Sequence, residues 1–185
     1  RNNIDNVYYV WGLGDWSHEK SIVNHLDVKY VKCNNEAELL HKFMDQWASN
    51  YPDAVTGWNS RMFDLVYLIN RITKVLGEGH ANKLSPWYRT IRNPIRSRIL
   101  ELGQNEVQVF EISGIEQLDY LDLFKKFAYS YGTQESYKLD HIAHVVLGDS
   151  KIDYSEYGSL NELYLQDFQK FIDYNIKDVE IVDRL

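Results

Sequence analysis

Ala54-Val55-Thr56-Gly57-Trp58-Asn59-Ser60-Arg61-Met62-Phe63-Asp64 decides the fold. A short apolar run ends at a glycine, polar side chains follow, and a strongly periodic segment begins. That segment, residues 65–76, carries Leu65, Leu68, Ile69, Ile72, Val75 and Leu76 at the spacing of a buried helical face. Strand, polar residues, then helix is how an α/β sheet presents chemistry at a strand end. Each polar residue also has a plain structural reading: Asp64 as a helix N-cap and Asn59 as a turn residue.

A second informative stretch is Phe171-Ile172-Asp173-Tyr174-Asn175-Ile176-Lys177-Asp178-Val179-Glu180. Phe168, Phe171, Ile172, Asn175, Val179 and Val182 follow the helical period and are expected to form the buried stripe. Tyr174 and Asp178 are four residues apart, so a helix places phenol and carboxylate one turn apart on one face. At the edge of the stripe a carboxylate can hold a metal ion and a phenol can orient a water. A solvated Asp beside a half-buried Tyr is the simpler alternative.

Around these stretches the chain reads as alternating strands and helices. Strands are expected at Val7–Trp11 and Val28–Val31, both rich in β-branched and aromatic residues. Asn35 and Glu38 suggest a capping box ahead of a helix bearing Leu39, Leu40, Phe43, Met44 and Trp47. Ser97–Leu102 and Glu106–Ile112 suggest a hairpin around Gly103-Gln104-Asn105. Leu118–Leu123 is a further strand candidate, in which Asp119 and Asp122 are read as structural. Tyr137–Leu147 reads as a helix ended by Gly148. His141 and His144 lie on it without the third ligand of an H-E-x-x-H metal pair. Asp149–Gly158 is an acidic loop, and Leu163 begins the run into the last helix. Trp87 and Tyr88 stand among Arg89, Arg92, Arg96 and Arg98, the most basic aromatic patch in the chain. Contact with nucleic acid and a solvated surface loop both fit that patch.

Composition narrows the class. The 185 residues suit one domain, and 44% apolar content with 25% charged residues suits a folded one. A net charge of −7 excludes a general DNA-coating protein but not a nuclease with a local grip. The single cysteine, Cys33, precludes an internal disulfide and reads as a small buried residue. No apolar run reaches the roughly 20 residues that span a membrane, and the first residues lack a signal peptide's apolar region.

Asn59-x3-Phe63-Asp64 opening one helix and Tyr174-x3-Asp178 on another resemble the second and third exonuclease motifs of family B DNA polymerases, most closely the T-even-type bacteriophage subgroup. Tyr67-Leu68-Ile69-Asn70-Arg71-Ile72, the run Leu118–Phe127 and Ser136–Ile142 extend the likeness, which covers essentially residues 7–185. The resemblance implies an α/β fold: a ribonuclease H-like 3′–5′ exonuclease domain, its mixed sheet flanked by helices, with an inserted β-hairpin that helps part the primer end from the template. It also implies proofreading of the primer 3′ end with two magnesium or manganese ions. Asp64 and Asp178 would be metal ligands, Tyr174 would orient the nucleophilic water, and Asn59 and Phe63 would be substrate-binding. Implied partners are single-stranded or primer–template DNA and the remainder of a polymerase chain, with no membrane; the implied location is a host cytoplasm.

The family's first motif, an Asp-x-Glu on an early apolar strand, is absent from these 185 residues. Asp178-Val179-Glu180 has the letters, but on a helix its acids point apart. The expectation is therefore a partial single domain, residues 1–185, without the first-motif strand. It would be an excised or truncated piece with little or no activity alone. A split exonuclease completed in trans and a non-catalytic DNA-binding or scaffold module remain as alternatives.

Overall fold

The computed structural model describes residues 1–96 and 106–185. They gather into two compact units, Arg1–Leu39 with Tyr131–Leu185, and Leu40–Ser130. The elements in order are β1 (Tyr8–Gly12), β2 (Val28–Lys32), α1 (Glu36–Ser49), β3 (Ala54–Gly57), α2 (Asp64–Leu76), α3 (Glu78–Ala81), β4 (Thr90–Arg96), β5 (Glu106–Ile112), β6 (Glu116–Asp119), α4 (Tyr120–Phe127), α5 (Leu139–Leu147), α6 (Leu160–Gln166) and α7 (Phe168–Arg184). The mixed α/β character is as expected. Among the described residues, however, the strands form three two-stranded ladders rather than one continuous sheet.

In the first unit β1 and β2 pair in parallel, Tyr8 opposite Val28 through Gly12 opposite Lys32. The core joins Tyr8 and Val23 to Ile172 and Ile176 of α7, flanked by Val10, Trp16, Val28, Tyr30 and Phe168. Burial raises the Tyr8 phenol to about 12, with Asp183 adding to the shift. α5 and α6 pack on α7, which packs on β1. The buried face of α7 is Ile172, Asp173, Tyr174, Ile176, Glu180 and Ile181; of the expected stripe Ile172 lies on it and Phe168 and Phe171 pack against the core, but Asn175 and Val179 are exposed. The rotation follows from two acids that the hydropathy pattern assigns to solvent. Asp173 accepts hydrogen bonds from Trp16 Nε1 at 2.8 Å, Ser21 Oγ at 2.7 Å and the Ile22 amide at 3.2 Å. Glu180 is held by His25 at 3.0 Å and Lys177 at 3.0 Å. Fully partnered acids can be buried; unpartnered ones cannot.

In the second unit β3 pairs in parallel with β6, and β4 pairs antiparallel with β5. Leu65, Ile69 and Ile72 of α2 are buried, and α2 packs on β5. Of the hairpin expected over 97–112 the second strand is present as β5, paired antiparallel with β4 over Thr90–Arg96; the expected strand 97–102 and the turn 103–105 lie outside the described residues. The strand expected over 118–123 stops at Asp119, and a helix begins at Tyr120. Asp119 causes the switch, because its carboxylate caps the helix by accepting from the Leu121 amide at 3.0 Å. The helix expected from Tyr137 begins two residues later, after Lys138, and Gly148 ends it in a left-handed turn at φ +63°.

Other local readings are as the sequence suggested. Asn35 Oδ1 accepts from the Glu38 amide at 2.9 Å, while Glu38 reaches back to the Asn34 amide at 2.8 Å, one residue earlier than a standard capping box. Cys33 is buried. Among the described residues no helix is long and apolar enough to cross a membrane.

Candidate active site

The site residues expected from sequence fall into two groups, one in each unit. Asn59, Phe63 and Asp64 belong to the second unit and Tyr174 and Asp178 to the first.

In the second unit the chain leaves β3 through a tight turn. Gly57 is required there, since a Cβ would sit 2.7 Å from the Ser60 Cβ. Asn59 adopts φ +61°, a left-handed conformation that Asn tolerates better than most residues. The turn closes through the Phe63 amide on the Asn59 carbonyl at 3.1 Å and the Leu65 amide on the Ser60 carbonyl at 2.9 Å. Asp119 clamps it from β6, accepting from the Asn59 amide at 2.9 Å and the Arg61 amide at 3.1 Å. The structural role expected for Asp119 is thus a role in shaping the site turn. Asp64 is not the N-cap. It is the first helical residue of α2, and Phe63 holds the cap position without a side-chain hydrogen bond. An acid in that first turn faces the positive end of the helix dipole. Phe63 is 67% exposed, too open for a core residue, and presents its ring to solvent.

In the first unit Tyr174 and Asp178 share one face of α7, as their spacing requires, and Lys151 joins them. The Lys151 Nζ lies 2.6 Å from Asp178 Oδ2 and 3.3 Å from the Tyr174 hydroxyl. Its own amide donates to Asp140 Oδ1 of α5 at 2.8 Å, which fixes the loop that carries it. Tyr154 packs edge-on against the Tyr174 ring at 5.3 Å. Burial raises the Asp178 carboxyl above the usual carboxylate range, against the pull of Lys151 and with Asp140 adding to the rise. Burial works to lower Lys151, but the Asp178 carboxylate outweighs it and the ammonium is held protonated. Burial also raises Tyr174, so its hydroxyl keeps its proton at neutral pH. Asp178 Oδ1 is buried and finds no hydrogen bond among the described residues.

Lys151 is the residue that sequence reasoning passed over. The only signal was its place as the lone cation in the acidic run Asp149–Gly158. His141 and His144 sit on α5 as ordinary helix-face residues; His141 contacts Gln134 at 3.4 Å.

A hard divalent cation prefers carboxylate oxygen, and the unsatisfied Asp178 Oδ1 is such a donor. In kind, then, the residues fit magnesium or manganese. In number they fall short, because among the described residues no group of three or more His, Cys, Asp or Glu side chains converges on one point.

An α/β chain with a clamped Asn-x3-Phe-Asp turn and a Tyr-x3-Asp helix face belongs to a definable class, and comparison with known proteins identifies it. Residues 14–142 match the sequence profile of DNA polymerase family B, exonuclease domain. The DNA-directed DNA polymerase of Escherichia phage RB69 is 37% identical over 150 residues, 81% of this chain and 16% of that protein. The DNA-directed DNA polymerase of Enterobacteria phage T4 is 33% identical over 158 residues, 85% of this chain and 17% of that protein. DNA polymerase II of Escherichia coli K12 is 25% identical over 172 residues, 90% of this chain and 20% of that protein. This chain belongs to the family B DNA polymerase exonuclease domains. The profile match includes Asn59, Phe63 and Asp64 and ends before Lys151, Tyr174 and Asp178.

Proposed function

We propose that the chain is the proofreading 3′–5′ exonuclease portion of a phage-type family B DNA polymerase, a partial ribonuclease H-like domain spanning residues 1–185. Its substrate is the 3′ end of single-stranded or primer–template DNA. Its partners are that DNA and the rest of a polymerase chain, in a host cytoplasm. The observation that carries this reading is the Lys151–Asp178–Tyr174 cluster, a buried carboxylate with one oxygen held and the other unsatisfied.

Asp178 is a ligand-type carboxylate, aimed by Lys151, which fixes one oxygen and leaves the other for an incoming cation. Tyr174 keeps its proton at neutral pH and can orient the attacking water through its hydroxyl. Asp64 supplies the carboxylate of the other motif, Asn59 shapes the turn before it, and Phe63 offers a ring to the terminal base. Asp64 and Asp178 are the carboxylates that would serve as ligands to magnesium or manganese, which when bound supplies Lewis acidity to the attacking water and the leaving oxygen. Asp64 and Asp178 alone carry too little charge to hold a pair of such ions. Activity therefore requires an Asp-x-Glu strand from outside these 185 residues.

The test is hydrolysis of a 5′-labelled single-stranded oligonucleotide in manganese, by the chain alone and by the chain mixed with an Asp-x-Glu strand peptide from a relative. Activity is expected only in the mixture and should be lost in Asp178→Ala. Activity of the chain alone, abolished by Asp178→Ala, would remove the requirement for a further strand. Inactivity and absence of manganese binding in both would leave the non-catalytic, DNA-binding scaffold reading.

A further inference from the structure

Trp87 and Tyr88 are adjacent, 72% and 67% exposed, and belong to neither motif. Side chains of this size are seldom left in water side by side without a use. Their backbone is built to hold them there. Ser85, itself fully buried, donates from Oγ to the Ser113 carbonyl at 2.6 Å. The Trp87 amide donates to Ser85 Oγ at 3.1 Å and the Tyr88 amide to the Ser85 carbonyl at 2.9 Å. The Ser113 amide closes the base on the Arg89 carbonyl at 3.1 Å. Opposite, Gly114 at φ +90° lets Pro86 and Trp87 approach; a Cβ there would lie 2.7 Å from Pro86 Cγ and 3.3 Å from Trp87 Cε2. Tyr88 sits at φ +53°, a conformation that a bulky residue adopts only when its surroundings impose it. The pair is thus fixed outward at a conformational cost.

The charge beside the pair selects the ligand. Arg89 follows the pair directly and Lys83 precedes it by four residues, and both are exposed. From Gly79 to Leu100 the sequence has no Asp or Glu, while carrying Lys83, Arg89, Arg92, Arg96 and Arg98, in a chain of net charge −7. Across the hairpin β5 carries Glu111, paired in register with Ile91, and Glu106, paired with Arg96. Two outward rings with cations alongside match a polyanion that also carries flat faces. We infer that Trp87 and Tyr88 form a stacking step for single-stranded nucleic acid, with Lys83 and Arg89 on its phosphates. The inference deepens the exonuclease reading and rests on it in taking DNA as the ligand.

The probe is a 5′-fluorescein dT16 strand, followed by anisotropy in EDTA so that no hydrolysis intervenes. The chain and its Tyr129→Ala variant, which removes an exposed ring outside the pair, should bind alike. Trp87→Ala and Tyr88→Ala should each weaken binding roughly five- to tenfold, and Trp87→Phe should keep most of it. Blunt duplex, whose bases are already stacked, should respond little to either alanine. Unchanged dT16 affinity in both alanine variants overturns the inference, as does an equal loss on duplex, or no dT16 binding at low salt. So does self-association of the chain abolished by Trp87→Ala with dT16 binding untouched, which would make the face a protein contact. Ring-dependent binding without hydrolysis in any mixture would remove the exonuclease reading and leave this one standing. Hydrolysis with ring-independent binding would do the reverse.

Discussion

Lys151 shows how much one cation can decide. It shares its charge between a half-buried carboxylate and a phenol, so its removal takes the ammonium from a desolvated Asp178 whose Oδ1 already has no partner among the described residues. Lys151→Met is expected to cost about 2 kcal/mol at neutral pH, below the loss for a fully buried pair because both groups reach solvent. Part of that loss should return in Lys151→Met/Asp178→Asn, measured by urea denaturation. The cost should shrink on acidification, since Asp178 takes up its proton above the ordinary carboxylate range. Asp149 has the opposite sign. Its hydrogen bond from Lys177, with backbone and Arg184 contacts, lowers its pKa from 3.8 to about 2. A depressed carboxylate contributes stability above its unfolded pKa and loses it as pH falls through the folded value. Asp149→Asn should therefore cost about 1 kcal/mol at pH 7, after allowance for solvent screening, and almost nothing near pH 2. An undiminished difference in unfolding free energy at pH 2 would contradict this.

At the scale of the element, local pattern was readable and remote partnership was not. The period of α2, the strand at β3, the left-handed Asn59 and the glycine stop of α5 are written in a few consecutive residues. The face of α7 is not, because Asp173 is buried on account of Trp16 and Ser21, donors 157 and 152 residues away. Lys151 and the site role of Asp119 were missed for the same reason: each depends on where another segment arrives. The boundary between β6 and α4 was misplaced because a short apolar run suits strand and helix equally. Asp119 joins both elements to the site turn, taking three backbone amides on one carboxylate. Asp119→Ala should cost about 2 kcal/mol, a lost cap plus orphaned amides. Hydrogen exchange should locate the damage, with faster exchange at Asn59, Arg61 and Leu121 and little change in α7.

For the whole molecule, charge placement matters more than total charge. A chain of net charge −7 gains nothing from its average field toward DNA, so on the proposed reading its grip comes from cations of the acid-free run between Glu78 and Glu101. The affinity for a single strand should fall with salt on a log–log slope of about −1.4, as expected for the roughly two phosphates that Lys83 and Arg89 would neutralise. A slope steeper than about −5 would mean a broad basic surface that the sequence does not supply. The family and the α/β class were legible from two motifs. The division into two units was not, because it depends on which strands find neighbours.

The first unit is made of two segments far apart in sequence, Arg1–Leu39 and Tyr131–Leu185, with the whole of Leu40–Ser130 between them. During synthesis at about 5–20 residues per second, Tyr8 and Val23 wait roughly 8–30 s for Ile172 and Ile176 to emerge. The intervening stretch is complete earlier and has its partners at hand. During synthesis β1 and β2 are therefore exposed until α7 emerges, and the packing of α7 is the event that covers them.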